Sequence, residues 1–264
     1  MSTPRPRHSR RVAGRVFSVV LGAVLILVVA GAAWIGIRAL LAQSHLTEAQ
    51  RSAAELTTLV STDPAAAATA ADALSADTSA APELTSDAIW RTAESLPWIG
   101  PQLSAVSSVA RSIDEVASDA LNPLIDVAET IDLNSFAPRD GKIDLAPFIE
   151  MRDAAAVAAD GTSQAAATLA TVDRTALVGA IRVPFEEASA LLDEVAVATE
   201  SLSNASVLLP RMLGADGPRD YLVIVQNNAE WRSLGGNPGA MVLIHTENGA
   251  MTLTEQDSAT NFQI

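Results

Sequence analysis

Hydrophobic and polar positions change their period along this chain, and each change marks an element. Val16 to Ile37 holds 22 residues without a charge, bounded by Arg15 and Arg38. At about 1.5 Å per residue a helix of that length spans about 33 Å, enough for a hydrocarbon core of about 30 Å. The pattern therefore predicts a membrane-spanning helix over 16–37. A cleaved secretory signal is the competing reading. Its apolar core is ordinarily about 7–15 residues, and the small-residue triplet Ala30-Gly31-Ala32 sits inside the run rather than after it. A retained anchor is the reading adopted.

After the anchor the period becomes that of an amphipathic helix. Ala39, Ala42, Leu46, Ala49, Ala53, Leu56 and Val60 alternate at spacings of three and four, up to Thr62-Asp63-Pro64. The alanine-rich tract 65–81 is helical by propensity, and Ala81-Pro82-Glu83 is expected to break it. Trp90 to Leu96 predicts a short helix. Pro97-Trp98-Ile99-Gly100-Pro101 is read as a loop that tucks Trp98 and Ile99 against a core, with exposure to a partner or a membrane surface as the alternative. Three further seams run from Leu103 to Ile131, from Phe148 to Ala176 and from Ala188 to Leu209. Asn122-Pro123 is expected to kink or divide the first of these. Turn-rich connections at 134–141 and 179–184 argue for antiparallel helices in a bundle.

From Tyr221 the period drops toward two. Residues 221–225 read as a buried strand, and 241–246 and 250–254 as two more. Glu247-Asn248-Gly249 forms the hairpin turn between the last pair, Asn-Gly being favoured there. Three strands need a cover, so either they pack on the bundle or the chain stops before its domain is complete. The fold class expected is mainly α: a single-pass transmembrane helix, an extracytoplasmic antiparallel helical bundle, then a small α+β or β segment. The expected divisions are a cytoplasmic basic tail (1–15), the span (16–37), the bundle (38–209), a linker (210–218) and the start of a strand-containing domain (219–264).

Charge orients this plan. The first 38 residues carry six arginines and no acid, and beyond them stand 11 basic against 31 acidic residues. An excess of arginine before the span places the N-terminus in the cytoplasm and the bulk of the chain outside. An acidic ectodomain repels nucleic acid, so no nucleic-acid partner is expected. The absence of cysteine removes disulfides and thiolate zinc sites. His8, His45 and His245 are too scattered to suggest a metal site, and Asp140, Asp144 and Glu150 lack calcium-loop spacing. No cofactor or metal is expected.

One polar cluster stands out. QNNAEWRSLGGNPGA follows the first strand, bringing Gln226, Asn227, Asn228, Glu230 and Arg232 together with Gly235 and Gly236. Loops at strand ends are common ligand sites, and a guanidinium offers a planar fork of donors for a carboxylate or phosphate. The bland reading is that the amides cap backbone and Glu230 pairs with Arg232. Catalysis has less support: Glu230 has no evident partner acid except Asp257.

Tyr221-Leu222, Gln226-Asn227-Asn228-Ala229-Glu230, Arg232 and Gly235-Gly236 resemble the start of the conserved region of bacterial, actinobacterial-type membrane proteins catalogued as domain of unknown function 4012. With the N-terminal anchor, the helical ectodomain, Leu96 to Pro101 and Leu209-Pro210, the resemblance is read over most of the chain, as the N-terminal part of such a protein. Asn237-Pro238 departs from the hydrophobic residue that many members carry after the paired glycines. The resemblance implies a location and an architecture but no activity. The function expected is an outward-facing binding or scaffold module on a membrane anchor, meeting an envelope polymer or protein. An envelope enzyme acting on glycan or another polymer, and a sensor relying on a separate output partner, are the alternatives.

Overall fold

The computed structural model describes residues 9–59, 64–131, 137–227 and 237–258. It is mostly helical, with a three-stranded antiparallel sheet near the C-terminus. The chain divides into two compact units, 1–114 with 171–188 and 115–170 with 189–264.

In the first unit, α1 (Ser9–Leu59) is one continuous helix. The apolar run thus passes without a break into the predicted three-four seam. α2 (Pro64–Leu84) opens on a proline, whose missing N–H costs nothing in a first turn. It lies antiparallel to α1: Nδ1 of His45 meets Oδ1 of Asp77 at 2.9 Å, and Arg38 reaches the carbonyl oxygens of Glu83 and Leu84. The contact is built mostly from small residues, Ala42, Ala49 and Ser52 on α1 and Ala70, Thr78 and Ala81 on α2 being buried, with Leu74 the one large side chain among them. Pro82 does not break the helix as expected but lies within its last turn. The chain leaves the helix at Thr85, whose N–H and hydroxyl bond the Pro82 and Ala81 carbonyls. α3 (Ala88–Glu94) is capped by Asp87, and α4 (Gly100–Glu115) follows. Trp90, Ala93 and Leu103 form a core on which Ile35, Ala39 and Val106 pack.

In the second unit, Val116–Leu121 is a π turn before α5 (Asn122–Thr130). The Asn122 N–H reaches back to the Ala117 carbonyl, so the interruption expected at Pro123 takes the form of a widened turn just ahead of it. α6 (Ala146–Ala170) comes so close to this turn that a Cβ on Gly161 would crowd that of Ala120. The glycine that weakens the helix by propensity is what permits the approach.

α7 (Gly179–Met212) contains both Pro184 and Pro210, so the turn-rich connection falls at 171–178 instead of 179–184. Its buried stripe is Phe185, Ser189, Leu192, Thr199 and Ser206, while Leu191 and Leu209 of the predicted seam are exposed. The stripe is displaced because hydroxyl residues occupy it. Thr199 meets Thr162 of α6 at 2.7 Å and also bonds the Val195 carbonyl, so its polar atom is satisfied inside. A count of apolar positions overlooks such residues.

The strands are β1 (Arg219–Asn227), β2 (Asn237–Glu247) and β3 (Ala250–Ser258), in the order β1-β2-β3. The hairpin is as expected: Asn248 and Gly249 both have positive φ, 48° and 84°. The buried strand is not. Leu222, Val223, Ile224 and Val225 are all exposed, as are Met251 and Leu253. Among the described residues the sheet is open: no described strand pairs with the outer side of β1, and β3 meets only the isolated bridge from Lys142 to Ala250 on its outer side.

Candidate functional site

The sheet is held at its hairpin end. Gly249 donates to the Leu213 carbonyl at 2.8 Å and accepts from the Ile143 N–H at 2.9 Å, and a Cβ on Gly249 would collide with the Ile143 carbonyl. The Thr246 hydroxyl and the Tyr221 phenol both donate to the carbonyl of Met212, at 2.8 and 2.9 Å. Arg139–Lys142 forms a tight turn through Asp140 and Gly141, and Lys142 bridges to Ala250. From Thr246 back to Asn237 the strand runs about 30 Å at about 3.4 Å per residue. The polar loop is therefore joined to the end of the sheet remote from these fixings.

At that end Val225 pairs with Ala240, Gln226 with Pro238 and Asn227 with Asn237, the register shifting between Val225 and Gln226. A bulge of this kind re-aims the side chains beyond it and ends regular pairing. Gln226 is exposed at the close of β1. Asn228, Glu230, Arg232, Gly235 and Gly236 lie outside the described residues, as does the side chain of Asn227. The backbone fixes one fact about the cluster: residues 228–236 connect two neighbouring antiparallel strands, so both ends of the loop are pinned. Asp257 sits on β3 opposite Met241, which in turn faces Ile224. That places it two strands, roughly 10 Å, from β1. Its carboxylate accepts the Ser258 N–H at 2.7 Å.

A second polar assembly escapes a sequence reading. Asp87 accepts the Trp90 backbone N–H at 2.7 Å through Oδ1. Its Oδ2 takes the Trp34 indole N–H and an Arg38 N–H, each at 2.9 Å. The Arg38 guanidinium also lies 5.0 Å over the Trp34 ring. The Trp90 N–H first, then the Trp34 indole and the Arg38 charge, hold the Asp87 carboxyl below its usual range. Trp34 and Arg38 stand one turn apart at the end of the apolar run, which was a visible hint; their shared acid, about 50 residues away, was not.

Of the three scattered histidines, His8 lies outside the described residues, while His45 meets Asp77 at 2.9 Å and His245 meets its cross-strand partner Asp220 at 2.7 Å. Trp98 and Ile99 do not close a core: Trp98 is 89% exposed.

Residues 216–264 match a family described as protein of unknown function (DUF4012). The match occupies the C-terminal end of this chain. It overturns the reading of the chain as the N-terminal part of such a protein with the resemblance running over most of its length, since the anchor, the helices and the Leu96–Pro101 turn all lie outside it. No curated protein and no solved structure matches the chain. The chain carries an uncharacterised domain at its C-terminal end. Among the described residues it also has one helix long and apolar enough to cross a membrane, with a candidate span at Leu21–Ala49.

Proposed function

We propose that this protein is a single-pass, membrane-anchored binding or scaffold module whose bulk faces outward from the cell. The observation that carries the reading is the uncovered apolar face of α1. Leu25 to Val29 are each 60% or more exposed, a stretch that water disfavours on every side and lipid accepts. Arginines ahead of the run support a cytoplasmic tail at 1–15, a span over 16–37 and an extracytoplasmic helical bundle over 38–209. A linker at 210–218 and a strand-containing domain from 219 complete the plan. The ligand site we propose is the loop after β1: Gln226, Asn227, Asn228, Glu230 and Arg232, with Gly235 and Gly236 giving the backbone room. Pinned ends and distance from the sheet's fixings suit it to meeting an envelope polymer or protein.

Arg232→Ala, compared with Arg219→Ala in β1, tests the site in the full-length chain. A binding role predicts unchanged thermal unfolding for Arg232→Ala and lost pull-down from envelope extracts, with Arg219→Ala retaining both. Equal pull-down by both variants and the unaltered protein makes the loop a structural turn.

A further inference from the structure

We propose that the turn Leu96–Ile99 is a second membrane contact, with Trp98 seated in the lipid headgroup layer beside the span. The proposal rests on the anchor reading above and adds a named surface to it.

Three observations converge on this turn. The first is its cost. Trp98 has φ = 74°, in the left-handed region that a bulky residue enters only with strain. A glycine there would remove the strain, yet the chain carries a tryptophan and leaves it almost wholly exposed. Neither strain nor exposure contributes to folding, so both point to something outside the fold.

The second is chemistry. From Ser95 to Ala110 there is no charged residue, on a chain whose ectodomain is strongly acidic. Leu96 and Ile99 flank Trp98, and all three are exposed. Gln102 fixes a further apolar residue beside them: its side-chain amide donates to the Trp98 and Ala176 carbonyls and accepts the Val178 N–H. Val178 is exposed too. Tryptophan among aliphatic residues is the composition favoured at the membrane–water interface, where an apolar ring with one polar N–H is partly wet.

The third is continuity with the span. Ile35, the residue after Trp34, packs on the cluster containing Leu103, and Trp34 and Arg38 are tied to Asp87 at the start of α3. Leu103 lies within one turn of the beginning of α4, which places the Trp98 backbone on the order of 10 Å from the point where α1 packs on the α3–α4 cluster. A unit clamped to the last turns of a span has its nearby loops at the bilayer surface. Side chains of this kind enter the headgroup region by about 5–10 Å.

The natural chain has no cysteine, so single cysteines carry a fluorescent label cleanly. Full-length Ile26→Cys, Ile99→Cys and Arg51→Cys, labelled with an environment-sensitive dye, are reconstituted into vesicles containing lipids spin-labelled in the headgroup or deep in the acyl chain. We expect deep quenching at position 26, headgroup quenching at 99 and none at 51, which lies about 20 Å beyond Arg38 along the continuous helix α1. Adding Trp98→Gly, which accepts the backbone conformation, should reduce quenching at 99 and leave 26 unchanged. Quenching at 26 without any at 99 overturns this proposal and leaves the anchor standing. A label at 99 that is shielded from water but untouched by lipid spin labels also overturns it, since a protein then covers the turn. Absence of quenching at both 26 and 99 defeats the anchor reading and this proposal together.

Discussion

The end of the apolar run in α1 and the C-terminal sheet hold themselves together in opposite ways. Around Trp34 and Arg38 the bonds are made by side chains reaching between helices, and they converge on Asp87 and a core containing a fully buried Trp90. In the sheet most bonds are the backbone ladder, fixed at one end by backbone contacts to Leu213 and Ile143 and by two hydroxyls on the Met212 carbonyl, while Leu222 to Val225 of β1 and Met251 and Leu253 of β3 are exposed. A side-chain clasp fails when one residue is removed, because each member satisfies several others. A ladder tolerates exchange of outward side chains, because its hydrogen bonds ignore their identity. The first region should therefore be sensitive to single substitutions and the second indifferent to most.

The largest effect expected is at Trp90. Its truncation to alanine opens a cavity against Ala93, Leu103 and Ile35 and should cost about 3–5 kcal/mol. Trp90→Phe should cost much less. The indole N–H is buried with no hydrogen-bond partner among the described residues, a burden on the order of 1–3 kcal/mol that phenylalanine removes along with some volume. Thermal melts of the two variants, followed by circular dichroism, give the comparison. A Trp90→Ala melt matching the unaltered chain would show that this core does not support the unit.

A smaller effect is expected at Asp87. Asp87→Ala removes an N-cap worth about 0.5–2 kcal/mol and strips Arg38 and Trp34 of a shared acceptor. The pH dependence has a definite sign. A carboxyl held below its ordinary value of 3.8 favours the folded state above that value and loses its contribution as pH falls through its own lowered one. The clasp should thus be intact at neutral pH and begin to weaken only below about 3.8. Melting temperatures of the unaltered chain and Asp87→Asn should differ at neutral pH and converge in strong acid. A constant difference throughout would separate the clasp from the charge of Asp87.

What was legible in the sequence follows the same division. The long helix, its seam at Ala42 and Ala49, the interruption at Pro123 and the Asn248-Gly249 hairpin were readable, because each rests on period or on a single residue's backbone preference. Pro82 and Pro184 misled, since proline disfavours a helix without excluding one: Pro82 lies in the last turn of α2 and Pro184 inside α7. The α7 stripe was read one position off because Ser189, Thr199 and Ser206 are polar by type yet satisfied inside. Asp87 could not be paired with Trp34 and Arg38 without the fold, and β1 was called buried on hydrophobicity, which does not say what covers a strand. Of the candidate site, the structure describes the close of β1 at Gln226 and Asn227; the remaining residues of the loop stand as proposed.

The smallest expected change sharpens the comparison most. Leu222 lies in β1 and is 60% exposed, with β2 on one side of the strand and no described strand on the other. If the sheet is as open in solution, Leu222→Lys should alter unfolding stability by no more than about 0.5 kcal/mol, as exposed substitutions usually do. A lysine on an outer strand also blocks strand-to-strand association. Sedimentation of the detergent-solubilised full-length chain should therefore show equal or reduced self-association beside an unchanged melt. A loss of several kcal/mol would mean that Leu222 is covered in the working protein, and the sheet would join the clasp as a region held by its side chains.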